Sequence, residues 1–212
     1  MTYDLLMRLP FLGWVSLCVI GQLVAFNQMK SEPLDLIVLV HIAMRFSAIA
    51  FMLLMAVAVV LRTRPSGKAS GLEPRLSALL GTFLVYGIAL LPRRDLSLSG
   101  EIASTLLTMV GTFGAIVALF RLGRSFSIMA ESRQLVTTGP YHFVRHPLYL
   151  AEELAIVGVF LQFASTWAML LLSAQIAFQL RRMHNEEVVL AAHFPEYAAY
   201  QRATARLIPG IY

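Results

Sequence analysis

The stretch Leu154–Leu180, LAIVGVFLQFASTWAMLLLSAQIAFQL, runs for 27 residues without a formal charge. A hydrocarbon core about 30 Å thick is crossed by roughly 20 helical residues, so one straight span leaves residues over. Near its middle, Ala164-Ser165-Thr166 interrupts the apolar run. A tilted helix would accommodate the excess, but a helical hairpin is the preferred reading. The choice governs the topology, because a hairpin returns the chain to the side it left. It would bring GPYHFVRHPLY, Gly139–Tyr149, next to RRMHNEE, Arg181–Glu187.

The remainder of the chain has the same character. Of its 212 residues, 58% are hydrophobic and 14% charged, and the mean hydropathy is +0.72. This is membrane-protein composition, with room for several spans and no large soluble domain. Charges mark the spans: Arg8 to Lys30, Leu36 to Leu61, Arg75 to Arg93, and Glu101 to Arg121 precede the hairpin. No barrel-like alternation is present, so the expected fold is an all-α integral membrane protein of about five transmembrane helices including the C-terminal hairpin. Residues 1–121 would form the N-terminal membrane helices and 122–212 the C-terminal region that contains the hairpin, within one structural domain. The first apolar run follows Arg8 but lacks a small-x-small cleavage site, which reads as a retained span rather than a leader.

The net charge of +5 is not arranged as a basic run interleaved with aromatics, which argues against nucleic acid as a partner. It fits cytoplasmic loops better. Arg62, Arg64, Lys68 and Arg75 follow the second span, whereas the loop before that span holds only Lys30 as a base. The positive-inside rule then places the N-terminus, the 62–75 loop and the chain from Arg121 onward at the cytoplasmic face; Arg93 and Arg94 dissent. The Pro65–Gly71 segment reads as a flexible connector.

Chemistry has few places to reside in such a chain. Arg182 and Glu186 lie four apart and share a helix face, which by itself describes a surface ion pair. In GPYHFVRHPLY, Arg145 and the tyrosines suit interfacial anchoring, but His146-Pro147 does not, since proline fixes the preceding histidine just outside the next helix. A hairpin joins the two clusters into one polar pocket beside lipid. His41 and Arg45 share a face within the second span and read equally well as a buried functional pair or as snorkelling side chains. Cys18 reads as a packed thiol. His142, His146, His184 and His193 lack the spacing of a metal site, and no metal is expected. GxSxG, Walker and GxGxxG motifs are absent.

The order Leu135-Val136-Thr137-Thr138-Gly139-Pro140-Tyr141, then Arg145-His146-Pro147-Leu148-Tyr149, the greasy hairpin, Arg182 with Glu186-Glu187, and finally Phe194, Tyr197 and Tyr200 resembles the isoprenylcysteine carboxyl methyltransferases. Membrane phospholipid methyltransferases belong to the same wider group. The resemblance begins near Leu122 and covers about the last ninety residues. It implies an integral-membrane enzyme that binds S-adenosylmethionine (SAM) without a Rossmann fold. Arg133, Gln134, Leu135, Val136, Tyr141, His146, Pro147, Leu148, Tyr149 and Glu186 would form the cofactor pocket. Glu186 would accept from the ribose diol, and Tyr141 or Tyr149 would face adenine or the sulfonium.

Carboxyl O-methylation of a lipophilic, isoprenylcysteine-like or lipidated substrate is the leading expectation. A carboxylate needs alignment rather than a base, and Arg182 or Arg145 would supply it. N-methylation of a phospholipid amine is the alternative; it needs a base, for which Glu187 or His184 are candidates. A non-catalytic scaffold or transport component would retain the helices but give no reason for Arg182, Glu186 and His146 together. A reductase on a related scaffold would need a phosphate site that is not apparent. The compact chain resembles a prokaryotic member, which implies the bacterial inner membrane with membrane lipids as neighbours and the active site facing the cytoplasm.

Overall fold

A computed structural model describes residues 2–29 and 35–210; Lys30, used above to orient the chain, lies outside the described residues. Seven α-helices and one two-stranded pair follow in the order α1 Thr2–Gln28, α2 Leu36–Leu61, β1 Gly67–Lys68, α3 Glu73–Phe83, α4 Leu98–Leu122, β2 Glu131–Ser132, α5 Pro147–Phe163, α6 Thr166–His193 and α7 Tyr197–Ala203. Three helical stretches, Arg8–Gln28, Val38–Leu61 and Leu98–Ser125, are long and apolar enough to cross a membrane. The chain is an almost wholly helical integral membrane protein. Its exposed Leu17, Leu23, Val24, Phe113, Phe120 and Trp167 are what a lipid-facing surface requires.

The helix starts follow local chemistry. Side-chain oxygens of Asp35, Ser97 and Ser165 accept hydrogen bonds from the backbone N–H of Val38, Gly100 and Ala168 and so cap α2, α4 and α6. The Ser165 cap is the turn of the expected hairpin: α5 ends at Phe163 and α6 begins at Thr166. At 17 residues, α5 is about 25 Å long. Its far end meets the Arg93–Arg94 loop, where Arg93 Nη2 donates to Gln162 Oε1 at 2.8 Å and the Arg94 N–H to the Gln162 carbonyl at 2.7 Å. The hairpin turn and these two arginines therefore lie together, far along α5 from its polar start.

The third expected span does not form as one α-helix. It is the eleven-residue α3, which tightens at Leu84 into a 3-10 helix through Leu90. Trp14 of α1 packs edge-on against both Phe83 and Tyr86 across that transition, at 5.1 and 5.0 Å between ring centroids. A count of charges cannot distinguish the two helix types. The Pro65–Gly71 segment is also more ordered than its composition implies. Gly67 and Lys68 pair antiparallel with Ser132 and Glu131, and Lys68 Nζ lies 3.3 Å from Glu131 Oε1. A Cβ on Gly67 would run into the His193 ring, which explains glycine there.

The hairpin arms are fastened to different neighbours. On one side, α5 lies against α4 through Gly111, Gly114 and Gly158, the close approach that small residues permit inside lipid. Ser104 Oγ donates to the Gly158 carbonyl at 2.8 Å, and Gln162 Nε2 donates to Ser104 Oγ at 2.7 Å. A Cβ on Gly158 would approach backbone atoms of Ser104 and Thr108 at 2.6 Å. Gly158→Val is therefore expected to force the helices apart at a cost of about 1–3 kcal/mol, read as a lower melting temperature in detergent. On the other side, α6 lies against α3 through polar contacts: Asn185 Nδ2 donates to Ser77 Oγ at 3.0 Å, and Arg181 pairs with Glu73 at 2.7 Å.

Candidate active site

The first turn of α5 and the last turns of α6 face one another across a cavity, as the hairpin reading requires. Gly139, at φ 64°, starts a 3-10 turn over Gly139–His142 that buries Tyr141. Pro147 then opens α5 where its missing N–H has no helical partner to lose. His146 stands just outside at φ −124°, ψ 56°, short of the fully extended geometry expected before proline. The backbone N–H groups of Arg145 and His146 donate to the carbonyls of Ala205 and Arg206, at 2.8 and 3.1 Å, so the C-terminal segment holds this corner in place.

The cavity is lined by Arg133, Gln134, Leu135, Val136, Tyr141, Arg145, His146, Leu148, Tyr149 and Glu186. Of the expected cofactor residues, Pro147 does not line it; its ring is buried at the helix start. Tyr149 donates to Glu186 Oε1, which also accepts from Arg182 Nε at 3.2 Å. The His146 ring stacks on Tyr149 at 5.4 Å between centroids. Tyr197 and Tyr200 complete the wall, and the buried Tyr197 hydroxyl has no hydrogen-bond partner among the described residues. Burial pushes the Tyr200 hydroxyl up to about 12, and it stays a donor, bonded to the Tyr141 carbonyl.

Glu186 and Glu187, expected as a cofactor acceptor and a candidate base of one pocket, turn to different partners. Glu186 faces the cavity. Glu187, about 100° further round the helix, lines no described cavity and is 4% exposed. Its carboxylate accepts from Arg145 Nε at 2.9 Å, from His146 Nε2 at 3.2 Å and from Arg206. Burial disfavours its charge, but the donors from His146, Arg206 and Arg145 outweigh that and hold the carboxyl well below the usual carboxylate range. These bonds hold Glu187 at the corner formed by Arg145, His146 and Arg206, outside the cavity. Arg145 is tied down as well, with Nη1 donating to the Gln201 carbonyl at 2.9 Å and to that of Thr204. His142 and His184 are exposed, and His184 lies outside both cavities described here.

Arg182 does not line the first cavity but a second one, between α1, α2, α4 and the hairpin. Its nitrogens donate to Glu186, to Thr82 Oγ1 at 2.9 Å and to the Ser127 carbonyl at 3.3 Å, and its guanidinium carbon lies 4.7 Å from the Tyr149 ring centroid. Arg182, Tyr149 and Glu186 thus form a partition, and Phe126 lines both cavities.

Several polar residues went unnoticed in the sequence. Glu131 lines the first cavity and accepts from Ser127 and Arg133. Glu152, Gln175 and Gln179 line the second. The signal was present: Gln175, Gln179, Arg182 and Glu186 follow at intervals of four, three and four, one face of a helix. The Arg45 of the open His41–Arg45 pair donates to Gln22 Oε1 at 3.1 Å and to Met29 Sδ at 3.2 Å, joining α2 to α1 away from both cavities.

A family model described as the isoprenylcysteine carboxyl methyltransferase (ICMT) family matches residues 104–192, which include α5, most of α6 and both polar clusters. The nickel-cobalt-cadmium resistance protein NccN of Alcaligenes xylosoxydans xylosoxydans is 35% identical over 113 residues, covering 51% of this chain and 52% of that protein. The cobalt-zinc-cadmium resistance protein CzcN of Cupriavidus metallidurans is 33% identical over 119 residues, covering 52% of each. The chain thus spans about half the length of the curated relatives it matches. The hairpin and both polar clusters thus lie inside the segment, residues 104–192, that matches the isoprenylcysteine carboxyl methyltransferase family.

Proposed function

We propose that this protein transfers a methyl group from SAM to a lipophilic acceptor, with SAM in the cavity around Tyr149 and Glu186 and the acceptor in the second cavity. The observation that carries the reading is the partition itself. Tyr149 and Glu186 line the first cavity, the more polar in its charged side chains, Arg182 lines the second, and Phe126 lines both. The polar cavity's residues fit SAM by chemistry: Glu186 keeps a carboxylate oxygen for a diol, Tyr141 and Tyr149 offer aromatic faces, and the unpartnered Tyr197 hydroxyl awaits a polar neighbour. When bound, SAM supplies a methyl carbon activated by its sulfonium.

The chain's own part is to align the acceptor, exclude water and manage one proton. A carboxylate, the acceptor named in the family's description, has no proton to lose. An amine must lose a proton, and Glu187 is too firmly ion-paired to take it. The basic 62–75 loop pairs with the segment that carries Glu131, on the polar cavity's side, and this supports a cytoplasmic face for SAM in a bacterial inner membrane. The relatives' names concern resistance to metal ions. Among the described residues, no group of three or more His, Cys, Asp or Glu side chains could hold a metal ion, and the proposed transfer uses none.

Calorimetric titration of SAM into detergent-purified protein tests the reading. Wild type is expected to bind saturably, and Glu186→Ala to bind at least about tenfold more weakly through loss of a charge-assisted hydrogen bond. Wild-type protein that takes up no SAM would end this proposal.

A further inference from the structure

The second cavity, of about 160 Å³, has an apolar end and a polar end. Phe11, Trp14, Phe51 and Met55 of α1 and α2 form the first; Glu152, Gln175, Gln179 and Arg182 of the hairpin form the second. What distinguishes the polar end is which of its atoms are already used. Gln175 Nε2 donates to the Gly81 carbonyl at 3.1 Å and to Glu153 Oε1 at 2.9 Å, and Gln179 Nε2 donates to Glu152 Oε2 at 3.3 Å. Thr82 donates to the Ala78 carbonyl, and Arg182 Nε, Nη1 and Nη2 each have one acceptor, so three of its five N–H groups are used.

The acceptors are left over. Gln175 Oε1 and Gln179 Oε1 are buried without hydrogen-bond partners among the described residues, on side chains 0% and 2% exposed. Glu152 makes its one hydrogen bond, through Oε2, to Gln179, and it retains accessible surface where it lines the cavity. The Tyr86 and Thr112 hydroxyls also line the space and can serve in either sense. Unpaired buried acceptors are costly, and inside a membrane protein a carboxyl commonly marks a site of function. The natural complement is an apolar chain ending in a group rich in N–H donors. A carboxylate would meet Glu152 instead.

Position adds to the argument. Glu152 lies three residues beyond Tyr149, on the same face of α5 and one turn deeper. Tyr149 touches Glu186 in the first cavity, and Glu152 is the carboxylate that lines the acceptor side of the partition. We propose that Glu152 is the proton-accepting catalytic residue of this site, and that the methyl acceptor is an amine carried on an apolar chain. This inference rests on the methyltransferase reading and names its acceptor. In the step, an ammonium N–H proton passes to Glu152 Oε1. The freed nitrogen lone pair then forms the N–CH3 bond as the S–CH3 bond of SAM breaks, and that electron pair returns to sulfur to leave S-adenosylhomocysteine. The product leaves as a methylated ammonium, and Glu152 gives its proton to water afterwards.

Two readouts separate this inference from the reading beneath it. The first needs no SAM. In a Trp167→Phe background, Trp14 in the cavity wall is the only tryptophan, and a bromoalkylamine is expected to quench its fluorescence saturably, more tightly than the matching bromoalkanoic acid. Glu152→Gln should weaken the amine by about tenfold or more, the scale of a lost hydrogen bond to a charged group. The second uses labelled SAM with dodecylamine and dodecanoic acid. Wild type should label the amine, and Glu152→Gln should slow labelling by about 100-fold or more, with calorimetric SAM affinity unchanged.

Preference for the acid in either assay, or wild-type labelling of the amine by Glu152→Gln, overturns the inference. SAM binding with neither probe labelled overturns it too while leaving the cofactor reading intact. If SAM fails to bind, the methyltransferase reading falls, and the catalytic role of Glu152 falls with it. If Glu152→Gln does not fold, the amine-against-acid comparison in wild type decides alone.

Discussion

Glu187→Ala is expected to destabilise the protein by about 3–5 kcal/mol, because it strands Arg145, His146 and Arg206 around a buried site that has lost its anion. The carboxylate is the shared acceptor of all three, and Arg145 in turn holds the Gln201 and Thr204 carbonyls. The loss should appear as a large fall in melting temperature in detergent and as easier proteolysis of the chain beyond α6. A variant that melts with wild type would show that the cluster anchors nothing. The same carboxylate predicts an acid dependence. Its native pKa lies below the ordinary carboxyl value, so the unfolded chain binds the proton more readily. Its stabilisation is therefore complete above the ordinary carboxyl pKa of about 4.3 and is lost as pH falls from there towards the depressed native value. Melting curves taken through that window should steepen in wild type and flatten in Glu187→Gln.

Arg182→Met carries the second large effect, and it is a functional one. Methionine preserves much of the volume but removes the cation that meets Glu186, Thr82, Ser127 and the Tyr149 ring. Glu186 on one side of the partition and Glu152 on the other would then face each other without the positive charge between them. Breaking such a buried pair from one side costs about 3–5 kcal/mol, which corresponds to a loss on the order of 1,000-fold in SAM affinity if it falls on binding. Arg182→Lys should recover only part of it, because a single ammonium cannot span three acceptors and an aromatic face. Calorimetry and label transfer on both variants would measure this. Wild-type transfer by Arg182→Met would mean that the partition is passive.

Much of this arrangement was legible before any coordinates. Residues 154–180 are too long for one span and break at Ser165, and that sufficed to bring His146 and Tyr149 opposite Glu186. The separation of Glu186 from Glu187 was not legible, since adjacent residues on a helix point different ways and only the packing partners tell which face turns inward. Glu152, Gln175 and Gln179 were missed for another reason. A scan for uncharged runs starts after Glu153 and treats glutamine as neutral filler, although the polar face continues through the run at helical spacing. The tightening of α3 into a 3-10 helix and the pairing of Gly67 with Ser132 depend on distant partners, Trp14 and β2, which local sequence cannot reveal.

The pairing of β1 with β2 bears on how the molecule can be inherited or rebuilt. Composition invites a cut near residue 121, with a generic anchor before it and a reusable enzyme after it. Yet the first half supplies Lys68 to Glu131, Thr82 to Arg182, Glu73 and Ser77 to Asn185, and the Gly81 carbonyl to Gln175. The greasy front of the chain is therefore not exchangeable luggage. A chimaera that borrows foreign leading helices must borrow these donors and acceptors too, and lineages that diverge in the first half should change their hairpins in step.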